Sequence, residues 1–177
     1  MSELQETALL TLLKHLNDLL ERIVTIVAVG ITLLMVCALV LSAITRYVSG
    51  TGYDWFIELP PSLIPWLVFP LLGPLLRSGA HIKVELLTNS LTKLQLLILQ
   101  VLVYTILLLG AGVFLLAGID AVELFKRLGQ LMELEIEVPI WWMYLAFPVG
   151  FAIMFSFALE LLLKHCVELH KQLKVNK

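Results

Sequence analysis

Four long stretches without a charged side chain constrain this chain more than any other feature. They cover residues 23–45, 59–76, 94–119 and 138–159, and so contain 23, 18, 26 and 22 residues. A helix needs about 20 apolar residues to cross a bilayer, because each residue advances it by about 1.5 Å through a hydrocarbon core of about 30 Å. Each stretch is therefore a candidate membrane span, although the second is short.

Composition makes the bilayer the expected solvent. Apolar residues form 60% of the 177 and charged residues 15%, with a mean hydropathy of +0.97. A water-soluble domain of this size has too little interior to bury so much apolar surface. The stretches lack the polar alternation of barrel strands, so we predict an all-α membrane protein with four transmembrane helices at about 23–45, 59–76, 94–119 and 138–159.

The segments that flank this 23–159 transmembrane domain are both amphipathic. Residues 1–22 place leucines at helical spacing among charged residues, which predicts a helix on the cytoplasmic membrane surface, or against a partner, before the chain turns into the first span. Residues 160–177 form an amphipathic, basic tail. The leader is long and charged and no small-residue cleavage site follows the first stretch, so that stretch is interpreted as an anchor and not as a signal peptide.

The distribution of cations predicts the orientation in the membrane. Nine of the 12 Lys and Arg residues lie before the first stretch, in the connection 77–93 or in the tail, and three lie on the other side. The positive-inside rule then places both termini in the cytoplasm. The net charge of −2 gives no reason to expect nucleic acid as a partner.

Two of the spans carry features that predict how they pack. Five prolines lie in or beside the second (Pro60, Pro61, Pro65, Pro70 and Pro74), which predicts a kinked or locally unwound helix covered by other protein. The third carries small residues at 110–112 and 117–118 for close helix packing and is expected to continue beyond the membrane. Pro139 is expected to start the fourth helix, and Trp141, Trp142 and Tyr144 to form its aromatic belt.

Catalytic and cofactor chemistry finds little support in the sequence. No Asp, Glu, Lys, Arg or His lies inside any of the four stretches, so the chain lacks the intramembrane ionisable groups of most ion-coupled carriers. The histidines lie at or beyond the span edges, which argues against a haem bundle, and Cys37 and Cys166 are too far apart for a disulfide. No nucleophile–base pair or metal-ligand cluster is evident, so we expect no enzyme and no cofactor. Ser42, Thr45 and Ser156 are interpreted as side chains that bond to helix backbone.

Polar residues at both ends of the second span are the remaining candidates. Arg46 and Glu58 could pair across the turn between the first two helices, and Arg77 and His81, four residues apart, could form a polar face for a partner or a lipid headgroup. The alternative is that these side chains are ordinary interfacial anchors.

Two blocks of sequence carry a resemblance to a known family. The first runs from Arg46 through Trp55 to Glu58, then Trp66 and Gly73, to the segment from Arg77 to Val84 that contains His81. The second is the segment from Val138 to Tyr144, followed by Pro148 and Gly150. In order and spacing they resemble the small, DctQ-like permease subunit of tripartite ATP-independent periplasmic (TRAP) transporters. The Leu59 to Ser62 segment and Pro65 depart from the family pattern.

The resemblance implies a scaffold subunit in the bacterial inner membrane. It would pair with a large permease subunit and work with a periplasmic solute-binding protein, in sodium-driven import of an organic acid. Membrane lipid is a further expected partner. Ten residues are predicted to be structural or to face the partner: Arg46, Trp55, Glu58, Trp66, Gly73, Arg77, His81, Pro139, Trp142 and Tyr144. The alternative is a self-contained carrier or channel formed by identical chains, and a membrane enzyme is a third class.

Overall fold

The computed structural model describes residues 2–50, 52–79, 92–132 and 137–175. In these ranges the chain forms four helices: α1 (Ser2–Ser49), α2 (Trp55–Ser78), α3 (Lys93–Leu128) and α4 (Ile140–Val175). Each contains a segment long and apolar enough to cross a membrane. The predicted all-helical fold with four helices capable of spanning a bilayer is therefore confirmed.

Helix α4 is the centre of the bundle, because it packs against α3, α2 and α1. Glycines bring the backbones close together. A Cβ added to Gly150 of α4 would lie 2.5 Å from the backbone of Phe69 in α2, and one added to Gly118 of α3 would lie 2.8 Å from the ring of Phe147. Since lipid supplies no hydrophobic force between helices, such close contacts are a main source of their association.

Helix α1 is one unbroken helix that joins the leader to the first span. The turn expected between them near residue 22 is absent from the described chain. From Glu21 onward, the less exposed residues recur at alternate spacings of three and four: 21, 24, 28, 31, 35, 38, 42 and 45. This 3.5-residue period is that of coiled-coil packing, so α1 touches the bundle along one narrow seam and leaves its other faces exposed.

Helix α2 continues through all five of its prolines, from Trp55 to Ser78, so the predicted local unwinding is wrong. Proline's fixed φ is itself helical, and the steric and hydrogen-bond losses are tolerated where neighbouring helices hold the segment. Here Pro60, Pro70 and Pro74 are buried, and α2 packs against α4 and α1. Packing therefore keeps the helix intact where its local sequence would break it.

The α3–α4 hairpin agrees with the sequence in most respects. As predicted, α3 runs on to Leu128. It begins with a capping box between Thr92 and Gln95. The small-residue face is only partly used: Ala111 and Gly118 are buried, whereas nothing lies within 4 Å of a Cβ built on Gly110. Pro139 immediately precedes α4, which continues through the predicted tail to Val175.

Candidate functional site

Six polar side chains from three helices meet at one end of the bundle. We call them the polar cluster: Asn17, Asp18 and Glu21 of α1, Arg77 of α2, and Ser156 and Glu160 of α4. Arg77 and Glu160 are the charged residues that end the second and fourth apolar stretches. Helices of similar span length bring such residues to the same level, which explains why they meet.

Asn17 is the buried centre of the cluster and has no exposed surface. Its Nδ2 donates to Glu160 Oε2 at 2.6 Å and to the carbonyl oxygen of Ser156 at 3.3 Å, while Ser156 Oγ donates to Asn17 Oδ1 at 2.7 Å. The amide thus uses both its donor and its acceptor side, as a buried polar group must if it is not to destabilise the fold. These bonds connect α1 to α4.

Arg77 joins the same cluster through its guanidinium. Its Nη1 lies 2.6 Å from Asp18 Oδ1 and 3.0 Å from Glu21 Oε2, and its Nη2 lies 3.4 Å from Glu160 Oε1. One cation therefore bridges carboxylates on α1 and α4. A planar guanidinium with five N–H donors suits this task better than a lysine does.

This arrangement corrects one sequence-based hypothesis. Arg77 does not belong to an outward polar face, because its side chain is only 20% exposed and its charge is used by three acids. The guanidinium also lies 5.9 Å from the centre of the Phe157 ring. His81, the other member of the proposed face, lies outside the described residues.

The contacts of the polar cluster join helices to one another. Every buried side-chain nitrogen and oxygen atom in the described chain has a hydrogen-bond partner. In those same ranges, no three His, Cys, Asp or Glu residues are arranged to bind a metal. The cluster therefore ties α1, α2 and α4 together.

A comparison with protein families accounts for this four-helix architecture. The family model for the tripartite ATP-independent periplasmic transporters, DctQ component, matches residues 35–167. The chain belongs to this family. The match covers about three quarters of the chain and includes all ten residues singled out from the sequence. The comparison with curated proteins found no match to the chain.

The DctQ family model divides the polar cluster. Arg77, Ser156 and Glu160 lie within the matched region, whereas Asn17, Asp18 and Glu21 lie before it. Residues of the leader of this DctQ component thus bond to residues inside the matched region.

The opposite end of this DctQ component contains a groove between the first turns of α2 and α4. The groove has a volume of about 280 Å³ and a largely apolar lining that includes Trp55, Glu58, Pro139, Trp141 and Trp142. Four of the predicted residues, Trp55, Glu58, Pro139 and Trp142, thus lie together. We call this groove the tryptophan groove.

Aromatic contacts hold the helices together at this end. Trp66 Nε1 donates to the carbonyl oxygen of Trp142 at 3.2 Å, and the two rings lie 5.3 Å apart. Tyr144 stacks on Phe125 of α3 at 4.1 Å between ring centres. Trp66 and Tyr144 are therefore placed to fasten α4 to α2 and α3.

The remaining two predicted residues make close contacts in the described structure. A Cβ on Gly73 would lie 2.7 Å from the ring of Phe157 and 2.9 Å from Ile153, so a larger residue there would require these side chains to shift. The Arg46 side chain lies against Gly52, whose added Cβ would be 2.8 Å from Arg46 Nε. The suggested pairing of Arg46 with Glu58 stays a prediction, and so does a partner-facing role for the predicted residues other than Arg77.

Sequence reasoning missed four members of the polar cluster, Asn17, Asp18, Glu21 and Glu160, and misassigned the other two, Arg77 and Ser156. The Ser156 hydroxyl donates to the Asn17 side chain, so the interpretation that Ser156 bonds to helix backbone is wrong. The same interpretation is correct for Thr45, whose Oγ1 donates to the carbonyl oxygen of Leu41 at 2.9 Å. Asn17, Asp18 and Glu21 belong to the leader, which was predicted to lie on the membrane surface or against a partner. The available signal was the opposite sign of Arg77 and Glu160 at the same predicted membrane edge.

Proposed function

We propose that this chain is the small scaffold subunit of a sodium-driven TRAP-type secondary transporter that imports an organic acid. In this proposal it pairs with a large permease subunit that carries the substrate and sodium sites. A periplasmic solute-binding protein delivers the solute. The assembly lies in the bacterial inner membrane, with both termini of this subunit in the cytoplasm.

The observation that best supports the scaffold role is that the buried polar side chains bond to other groups of the same chain. The buried polar residues in the described ranges are Asn17, Ser42 and Glu160, and no buried side-chain donor or acceptor there is left without a partner. A carrier must present such groups to its cargo within the membrane. A subunit that only positions another chain has no such need.

The exposed helix faces support pairing with another membrane chain. Helix α1 contacts α2 and α4 along its one seam, and Ile26 and Leu33 on its other side are 71% and 61% exposed. On α3, Leu109 and Leu116 are 66% and 65% exposed. These faces give a larger membrane protein room to pack beside the bundle.

Co-expression with the large permease subunit of the same transport system tests the proposal. We expect the two chains to co-purify in detergent as a one-to-one complex, and proteoliposomes to accumulate the solute only when both chains and the binding protein are present. Purification of this chain as a defined homo-oligomer that transports alone would favour the self-contained carrier instead.

A further inference from the structure

The tryptophan groove combines an apolar interior with an acidic mouth. Its walls are Leu59 and Leu63 of α2 with Trp141 and Trp142 of α4, and Glu58 is the charged residue of the lining. Asp54 and Glu137, each next to a lining residue in sequence, are exposed. The groove therefore suits a ligand with an apolar body and a positively charged end.

The depth of the groove matches the boundary between headgroups and hydrocarbon. Trp55 and Pro139 stand at the starts of α2 and α4, at the level of the aromatic belt, and Leu63 lies two turns deeper along α2. Eight residues of helix correspond to about 12 Å, so the groove leads from the interface toward the acyl chains. Tryptophan rings favour this level of the bilayer.

The charges near the mouth select among phospholipids. Glu58 in the lining and the sequence neighbours Asp54 and Glu137 carry three negative charges against the one amine of Lys126, so the charge near the groove favours an ammonium group over an anionic headgroup. Trp141 is already in contact with an amine, since Lys126 Nζ lies 4.8 Å from the centre of its ring. One face of Trp141 is therefore already used, and the carboxylate of Glu58 is the feature of the lining that stabilises a ligand ammonium.

We propose that the tryptophan groove binds a phospholipid with an ammonium headgroup, of the phosphatidylethanolamine class. The upper part of one acyl chain fills the space between Leu59, Leu63 and Trp142, and the headgroup ammonium lies beside Glu58. A carboxylate accepts several hydrogen bonds, so Glu58 can serve the ammonium together with its contacts inside the chain. This site is a property of the chain alone and goes beyond the scaffold role.

A lipid fits the groove better than a helix of the partner does. The groove is formed within one subunit by the ends of two helices, and three of its nine lining residues are tryptophans. A partner helix would require a long apolar seam, such as those on α1 and α3. A single flexible chain with a polar head requires a short, narrow cleft at the interface.

Native mass spectrometry of the full chain measures the proposed selectivity. The purified protein is incubated with phosphatidylethanolamine and phosphatidylglycerol of identical acyl chains, and retained lipid is counted. We expect a preference for phosphatidylethanolamine that falls about two- to fivefold in Glu58→Gln. Glu123→Gln is the matched control, because it removes one carboxylate at the same end of the molecule, away from the groove, and should keep the preference.

A second variant tests the apolar part of the site. Ser62 is a small lining residue, so Ser62→Leu should fill the groove and lower the retention of both lipids alike. If that variant fails to fold, the Glu58 and Glu123 variants decide alone.

Equal retention of the two lipids by the native chain would overturn the proposal, as would an equal loss of preference in Glu58→Gln and Glu123→Gln. A third contrary result is a complex with the large permease subunit in which Ser62→Leu breaks subunit pairing and leaves lipid retention unchanged. The groove would then be a protein contact.

Discussion

Arg77 is the side chain on which the polar cluster depends most. Without its guanidinium, Glu160 stays buried beside Asp18 and Glu21 with no counter-charge. Loss of one partner from a buried ion pair is strongly destabilising, although the two acids of α1 are half-exposed and partly screened by water. We expect Arg77→Gln to lower the free energy of unfolding in detergent by about 2–4 kcal/mol.

Arg127→Gln is the matched control for this prediction. Arg127 pairs with Glu123 four residues earlier on α3, and both side chains are largely exposed. Such a pair contributes about 0.5 kcal/mol or less. Arg77→Lys should recover part of the stability, because an ammonium keeps the charge without the planar fork. Equal losses for Arg77→Gln and Arg127→Gln would contradict the fastening role.

The contacts within the polar cluster could not be predicted from the sequence. The charged residues that end the apolar stretches were visible, but a charge at a membrane edge is usually an anchor that reaches the headgroups. Nothing in the order of residues relates Asn17 to Glu160, which are 143 positions apart. Their contact depends on how α1 and α4 cross, and that is a property of tertiary packing.

Three glycines, one on each of α2, α3 and α4, predict a graded response to the same substitution. Gly150→Ala places a methyl group 2.5 Å from the backbone of Phe69, which cannot move without shifting α2. Gly73→Ala meets the side chains of Phe157 and Ile153, which can adjust, and Gly110→Ala meets nothing within 4 Å. We expect Gly150→Ala to lose about 1–3 kcal/mol and Gly73→Ala less.

Thermal unfolding of the three variants in one detergent provides the comparison. Gly110→Ala should be neutral or stabilising by up to about 1 kcal/mol, because alanine favours the helix over glycine. A reversed order, with Gly110→Ala the least stable, would show that close packing of α4 against α2 is not what these glycines provide.

The continuity of α1 makes a second prediction at the level of elements. Spin labels at Lys14→Cys and at the native Cys37, in a Cys166→Ser background, are separated by 23 residues of helix. An unbroken helix predicts a distance of about 35 Å. A leader that turned along the membrane at residue 22 would give about 25 Å instead, so pulsed electron spin resonance distinguishes the two.

The presence of four helices could be predicted from the sequence, because 18 or more uncharged residues in lipid leave few alternatives to a helix. The residues at which the helices begin and end were harder to predict. The leader's amphipathic pattern predicted a separate surface helix. Instead, Asp18 and Glu21 pair with Arg77 of α2. Leu12 and Leu16 are 72% and 49% exposed. The face that meets the bundle is mixed, because the buried Asn17 lies between the half-buried Leu13 and Leu20.

At the scale of the whole molecule, the bundle separates two ends with different chemistry. The polar cluster fixes α1 to α2 and α4 at one end, and aromatic contacts fix α4 to α2 and α3 at the other. Helix α4 takes part in the contacts at both ends and so connects them. A scaffold of this kind influences transport through the amount of complex that forms.

That role predicts how variants change uptake by the complete transporter. Arg46→Ala, Glu58→Ala and His81→Ala should lower solute uptake in proteoliposomes in proportion to the loss of complex with the large permease subunit. The sodium concentration for half-maximal uptake should stay within about twofold of native, because the sodium sites are proposed to lie in the other chain. Uptake is measured at varied sodium and divided by the amount of intact complex. A large shift in sodium dependence with the complex intact would place part of the sodium site in this subunit and overturn the division of labour.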